Sequence, residues 1–287
     1  MTPLNSLASG STRLSAGFRA VVALYAGVLL GGVAASVAAA QSASSTALAA
    51  VFLGGLATGA VAGVVVARAD ERLPIRLGRN RRRRALLVVP GIPGLVGAAT
   101  VASSWSPIAS PFVATGSSLS LLVLGYVLGE LARTEYVEAV TADEPADSWR
   151  WTPPGGGMAY TLVALGWLVL ALINAAGGNW TATVVWVLIT MGWIVGGLVE
   201  GRWQTRWGAT PEIRIHENGL VKQRPFTKTF VPWEDVSHVR LHEDELVLDR
   251  GLFDVRLERS ELADLEAVRE TIERRLETAG ADARLVP

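Results

Sequence analysis

The sequence predicts an α-helical membrane bundle of six transmembrane helices followed by a small α+β domain. Three observations lead there. Six apolar stretches of about 20 residues follow one another before residue 201, each long enough to cross roughly 30 Å of hydrocarbon. Charge is confined to alternate connections between them. After Trp207 the pattern changes from long apolar runs to residue-by-residue alternation, the period of a β-strand.

The apolar stretches run Phe18–Ala40, Ala47–Ala67, Ala85–Ser103, Phe112–Ala132, Met158–Ala176 and Trp180–Leu198. Lipid offers no partner to free backbone N–H and C=O groups, so a crossing segment must close its hydrogen bonds internally as a helix. None of the six carries a charge in its central portion; Glu130 and Glu200 stand at span ends. Composition agrees: 50% of the residues are hydrophobic and 18% charged, against about 25% charged in an average soluble domain. The formal net charge of zero conceals the asymmetry, since the 17 acidic and 14 basic residues from Gly201 onward are an ordinary soluble composition.

The connections orient the spans. Gln41–Thr46, Ser104–Ser110 and Gly177–Asn179 contain no charged residue. Between the second and third spans lie Arg68, Arg72, Arg76, Arg79, Arg81, Arg82, Arg83 and Arg84, opposed only by Asp70 and Glu71. Arg13 precedes the first span and Arg19 stands at its very start, and Arg202 and Arg206 follow the last. Basic residues beside a span are retained in the cytoplasm, so both termini of a six-span chain are expected there, in the cell membrane. The start also resembles a secretory signal, with Ala38-Ala39-Ala40 before Gln41. Its apolar run is longer than the 7–15 residues or so of a signal core, and an uncleaved first span is expected.

Glycines at four-residue spacing (Gly27/Gly31, Gly55/Gly59/Gly63, Gly125/Gly129, Gly192/Gly196) line single helix faces and predict close packing within the bundle. Trp105, Trp149, Trp151 and Trp180 fall at expected water–lipid boundaries, where amphipathic rings anchor spans. In the third span, Pro90 and Pro93 remove two backbone donors, so that helix is expected to kink or break. The eight arginines are expected to set topology and to meet anionic lipid headgroups, each contributing on the order of 1 kcal/mol near the surface. The loop Arg133–Gly157 is net −3 and ends in two prolines and three glycines, which reads as a flexible hinge.

In the tail, Ile213 and Ile215 alternate with charged residues before a Glu217-Asn218-Gly219 turn. Strands are expected over Leu220–Gln223, Thr227–Val231, Val236–His242, Glu245–Asp249 and Leu252–Leu257. Ser260 is then expected to cap a helix striped by Leu262, Leu265, Val268, Ile272 and Leu276 and ended by Gly280. His238 and His242 would lie about 13 Å apart along a strand, too far to share an ion.

Three segments, Glu212–Leu220 (EIRIHENGL), Val231–Val236 (VPWEDV) and Asp244–Leu248 (DELVL), with the closing helix, resemble the prokaryotic PH-like (bacterial pleckstrin-homology) domains fused to membrane helices. The resemblance covers about residues 211–280. It implies a bent, partly open antiparallel barrel plugged by its C-terminal helix, serving as a scaffold or interaction module. Members that bind phosphoinositides use a basic first loop. Here Glu217-Asn218-Gly219 stands in that place, leaving Lys222, Arg224 and Lys228 for weak contact with acidic lipid.

The expected organisation is therefore a six-helix membrane region over 1–200 and a cytoplasmic PH-like domain over 201–287. The chain has no cysteine, which excludes disulfides and thiolate chemistry. It also has no HExxH, P-loop or GxSxG motif. The expected function is non-enzymatic, with no cofactor, metal or nucleic acid. The expected partners are the lipid bilayer and a protein, or a second copy, meeting the C-terminal domain. The alternative is a transporter or channel whose path uses the kinked third helix.

Overall fold

A computed structural model describes residues 16–93, 110–152, 157–203, 208–251, 254–262 and 264–283. The chain forms two compact units, Met1–Tyr136 with Met158–Gly197, and Val137–Gly157 with Leu198–Pro287.

The first unit is helical. It contains α1 (Ala16–Ala40), α2 (Ser45–Ala69), the short α3 (Leu73–Gly78) and α4 (Arg81–Leu86), α5 (Ser110–Val140, whose last turn belongs to the second unit), α6 (Gly157–Ala176) and α7 (Trp180–Val199). Among the described residues, five helices are long and apolar enough to cross a membrane: α1, α2, Val113–Val140 of α5, α6 and α7. They fall on five of the six expected stretches, although α5 continues past Ala132 to Val140. Such helices are compatible with a membrane protein. Of the sixth stretch, Ala85–Ser103, residues 94–103 lie outside the described residues, as does Trp105.

Small residues set the spacing of α1 and α2. A Cβ added to Gly59 would lie 2.3 Å from the Ala26 carbonyl oxygen, and one on Gly55 would lie 2.8 Å from Gly31 Cα. Gly27 and Gly31 face the backbone oxygens of Leu56 and Phe52 just as closely. The four-residue glycine spacing is thus consumed by contact between neighbouring helices. Gly192 likewise packs α7 on Val123 of α5, while a Cβ on Gly196 would meet nothing within 4 Å.

Among the described residues, the second unit holds seven strands and an α-helix. A four-stranded antiparallel sheet has the order β1 (Asp147–Arg150), β2 (Glu212–Ile215), β3 (Gly219–Gln223), β4 (Lys228–Pro232). A three-stranded antiparallel sheet follows with β5 (His238–Leu241), β6 (Glu245–Asp249) and β7 (Val255–Glu258). Alternation places Ile213, Ile215, Leu220, Leu246, Leu248 and Leu257 in one core with Trp233 and with Leu265, Val268 and Ile272 of α8 (Leu265–Ala283).

Here the structure departs from the expected hinge and from the boundary at residue 201. Part of the loop Arg133–Gly157 is a strand, with Asp147 opposite Ile215 and Arg150 opposite Glu212. Trp151 is 2% exposed in the core and Trp149 packs against it. These two indoles were expected at the lipid boundary. They belong instead to the β-unit, because Trp149 lies in β1 and Trp151 directly follows it, and the partner strand β2 lies beyond two apolar helices. Residues 153–156, the Pro-Pro-Gly-Gly part of the expected hinge, lie outside the described residues.

The ends of α8 also differ. Asp264 caps it, accepting from Ala267 N–H at 2.9 Å, whereas the Ser260 hydroxyl donates to Glu258 Oε2 at 3.1 Å. The helix runs through Gly280 to Ala283. Phe253, expected on the inner face of β7, lies outside the described residues.

Candidate functional site

The arginine segment takes its shape from short caps. Asp70 ends α2, accepts from Arg72 N–H at 3.1 Å and pairs with the Arg76 guanidinium. Asn80 caps α4, its side-chain oxygen accepting from Arg82 N–H at 2.8 Å. Arg68, Arg72, Arg76, Arg79, Arg81, Arg82 and Arg83 are exposed. Arg84 differs. Its side chain is 21% exposed and approaches Glu130 of α5, with Nη1 3.9 Å from Oε1. Arg133, one turn further along α5 and also 21% exposed, pairs closely with the other Glu130 oxygen. Two guanidinium groups therefore share one carboxylate. The Nε atoms of both arginines are secluded from solvent and have no hydrogen-bond partner among the described residues.

Arg84 turns inward because α5 offers it a small residue. A Cβ on Gly129 would lie 3.5 Å from Arg84 Cβ. Contacts then continue in order along α5: Gly78 against Ala132, Gly125 against the Leu87 carbonyl, and Gly91 against Ser118 and Leu122. The chain from Gly78 to Gly91 thus runs antiparallel to α5 along Ser118–Ala132, about 21 Å at the helical rise.

Pro90 lies in this segment and Pro93 two residues beyond it. The α-helix stops at Leu86, and Val89–Gly91 forms a single 3₁₀ turn carrying Pro90. Gly91 N–H donates to Val88 O at 3.1 Å, leaving the Leu87 carbonyl without the i+4 donor it would have in an α-helix. The Tyr25 hydroxyl of α1 replaces that donor, at 2.9 Å. A Cβ on Gly125 would lie only 2.2 Å from the same Leu87 oxygen. The break is packed and hydrogen-bonded.

A second polar cluster lies in the β-unit. The Trp151 indole N–H donates to Glu261 Oε2 at 2.8 Å, and Thr152 N–H donates to the Glu261 carbonyl at 2.9 Å. Lys222 Nζ stands 3.9 Å from the Trp151 ring centroid and the Arg224 guanidinium carbon 5.9 Å, cations over a π-face. Burial pushes the Lys222 ammonium down to about 8; Glu261 and Glu258 oppose that fall, and Arg224 adds to it.

Further pairs tie the end of α5 and the residues after it to the tail strands. Lys228 Nζ lies 2.9 Å from Glu138 Oε1, and buried His216 lies 3.2 Å through Nδ1 from Asp143 Oδ1. Asp143 also accepts from Glu217 N–H at 3.1 Å.

Of the residues singled out in the sequence, the structure therefore selects Arg84 from the arginine run and joins it to Glu130 and Arg133. The pair Glu130/Arg133 carries an i, i+3 signature of opposite charge at an apolar helix end. The Ser148-Trp149-Arg150-Trp151 alternation is likewise the signature of β1. Comparison of the chain with protein-family models, with curated proteins and with solved structures gives no match.

Proposed function

We propose that this chain is a non-enzymatic multi-pass protein of the cell membrane, with six spans, both ends cytoplasmic, and a PH-like interaction module built into its cytoplasmic face. The observation that carries the reading is the pairing of β1 with β2. It puts the loop after α5 and the tail after α7 into one folded unit, which requires both to be on the same side of the bilayer. Between them α6 and α7 form an out-and-back hairpin. The arginines of the earlier loop favour the cytoplasm as that side.

The sixth span is supported by the segment from Gly78 to Gly91. If the arginine loop and the end of α5 both face the cytoplasm, α5 starts outside and the chain between Arg84 and Ser110 crosses the bilayer. The antiparallel run of Gly78–Gly91 along α5 is what such a crossing requires.

The PH-like reading is supported by four and then three antiparallel strands closed by α8. On this reading the Glu217-Asn218-Gly219 turn joins β2 to β3 and is no longer the first loop. The connection from β1 to β2 carries α6 and α7, and neither helix has a basic residue to cradle a phosphoinositide. Contact with another protein or with a second copy is the role left to the module. The transporter alternative rests on the break at Pro90. The Tyr25 bond and the Gly125 contact there favour a packing role over a solute path.

The absence of native cysteine makes the test clean. Single cysteines at Ser44, Ser148 and Ser237 are labelled in right-side-out vesicles with a membrane-impermeant maleimide. Labelling of Ser44→Cys alone, with the other two reacting only after permeabilisation, is the expected pattern. Labelling of Ser148→Cys and Ser237→Cys from opposite sides would sink the shared unit. For the module, site-specific crosslinkers on the exposed surface of the full-length protein should trap one discrete partner or a dimer. A protein that remains monomeric and uncrosslinked in its native membrane argues against an interaction role.

A further inference from the structure

The cluster of Arg84, Glu130 and Arg133 is unbalanced: two guanidinium groups face one carboxylate, and exposed Arg81 adds a further positive charge nearby. Secluded charge is costly unless it is paired and its donors are satisfied. Glu130 is committed to Arg133 and reaches Arg84 only at 3.9 Å. Both Nε–H groups lack an acceptor among the described residues.

We propose that Arg84 and Arg133 together bind the phosphate of one anionic phospholipid, with Glu130 as the positioning residue that holds the two guanidinium groups side by side. This rests on the reading of the chain as a membrane protein. The chemistry selects the ligand. A phosphodiester is a monoanion, which neutralises the excess charge. Its two non-bridging oxygens match the planar fork of a guanidinium, as a single point acceptor does not.

Position selects the source. Arg84 is followed directly by Ala85-Leu86-Leu87-Val88, and Glu130 and Arg133 lie toward the end of an apolar helix. Both arginines therefore belong where hydrocarbon meets headgroup. Each keeps about a fifth of its side chain accessible, enough for a headgroup to reach from the rim. The exposed arginines of the same run attract anionic lipid without fixed geometry. Arg84 and Arg133 are held by packing before any lipid arrives.

The experiment uses the full chain, delipidated in a neutral detergent and titrated separately with phosphatidylglycerol, phosphatidylcholine and inorganic phosphate. Thermal unfolding and native mass spectrometry are the readouts. Phosphatidylglycerol should raise the unfolding midpoint and leave a single lipid on each chain, while phosphatidylcholine and inorganic phosphate do neither. Arg84→Gln and Arg133→Gln should each lose most of that rise, and Arg82→Gln should keep it. Arg84→Lys, which retains charge and fold but loses the fork, should bind more weakly than wild type. Glu130→Gln, which loses the ion pairs that hold the two guanidinium groups side by side, should bind more weakly than wild type, and undiminished binding would remove Glu130 from its positioning role.

An equal loss in Arg82→Gln and Arg84→Gln would mean a diffuse basic surface and overturn the site. An equal rise with inorganic phosphate would make it a free-anion site and overturn the lipid. Failure of the membrane reading is separate: the chain would then leave the membrane fraction in alkaline carbonate without detergent, whatever the lipid titration gave.

Discussion

Trp151 and Glu261, 110 residues apart, share a buried hydrogen bond of 2.8 Å from indole Nε1 to carboxylate Oε2. Glu261 is 8% exposed and Trp151 2%. The bond joins the end of β1 to the turn before α8, and between the two partners in sequence lie both helices of the α6–α7 hairpin. The β-unit is thus completed by a segment that precedes two apolar helices.

Loss of that anchor should be severe. Trp151→Ala removes a large core side chain and leaves the Glu261 carboxylate without its indole donor, a cost of about 3–5 kcal/mol. Glu261→Gln keeps an acceptor oxygen and should cost only about 1 kcal/mol. Limited trypsin digestion of the full-length protein reads both. Rapid cleavage within 212–258 is expected for Trp151→Ala and slow cleavage for Glu261→Gln; equal resistance would contradict the anchor.

The tail on its own is predicted to be incomplete. A fragment of residues 201–287 lacks β1 and Trp151, leaving the outer edge of β2 unpaired and a gap in the core. It should give poorly dispersed amide signals by NMR. Joining residues 137–152 to 208–287 through a flexible glycine–serine linker should restore a dispersed, cooperative spectrum. If the shorter fragment is equally well folded, β1 is dispensable.

In that linked unit, stability should depend on pH through Lys222. Its folded pKa is depressed to about 8 from 10.5, so the unfolded chain binds more protons across that window. Stability therefore rises with pH from about 8 to 10.5, by up to about 3 kcal/mol from this group. Lys222→Met removes the contribution. It should be more stable than wild type near neutrality, with the difference closing as the pH approaches about 10. Parallel pH profiles for the two proteins would rule the effect out.

Between α1 and α2 the expectation is steric. Gly59→Ala sets a methyl 2.3 Å from the Ala26 carbonyl oxygen, forcing the helices apart at a cost of about 1–3 kcal/mol. Gly196→Ala meets nothing within 4 Å and should be neutral or slightly stabilising. Unfolding midpoints in detergent separate the two, and equal midpoints would contradict the packing.

Tyr25 gives a smaller and equally specific test. Tyr25→Phe leaves the Leu87 carbonyl without its donor at the break, which should cost about 1–2 kcal/mol. Hydrogen exchange should quicken around Val88 to Gly91 while the rest of the bundle is unaffected. Unchanged exchange there would show that another group satisfies the carbonyl.

Much of this architecture is written in local pattern. Apolar runs long enough to cross a bilayer are visible as composition, and α1, α2, α6 and α7 begin and end within about two residues of them. Alternation marked β2, β3, β4 and β6, and the stripe of Leu265, Val268 and Ile272 marked the inner face of α8. These signals survive in one dimension because each reports the repeat of its own backbone. Tertiary structure alone decided the rest. β1 is four residues long in an acidic loop, and its strand character depends on β2, more than sixty residues away. Arg81, Arg82, Arg83 and Arg84 are equivalent as a charge run. Only the approach of Gly129 turns Arg84 inward to Glu130 and Arg133, because seclusion of a charge is a property of what packs over it.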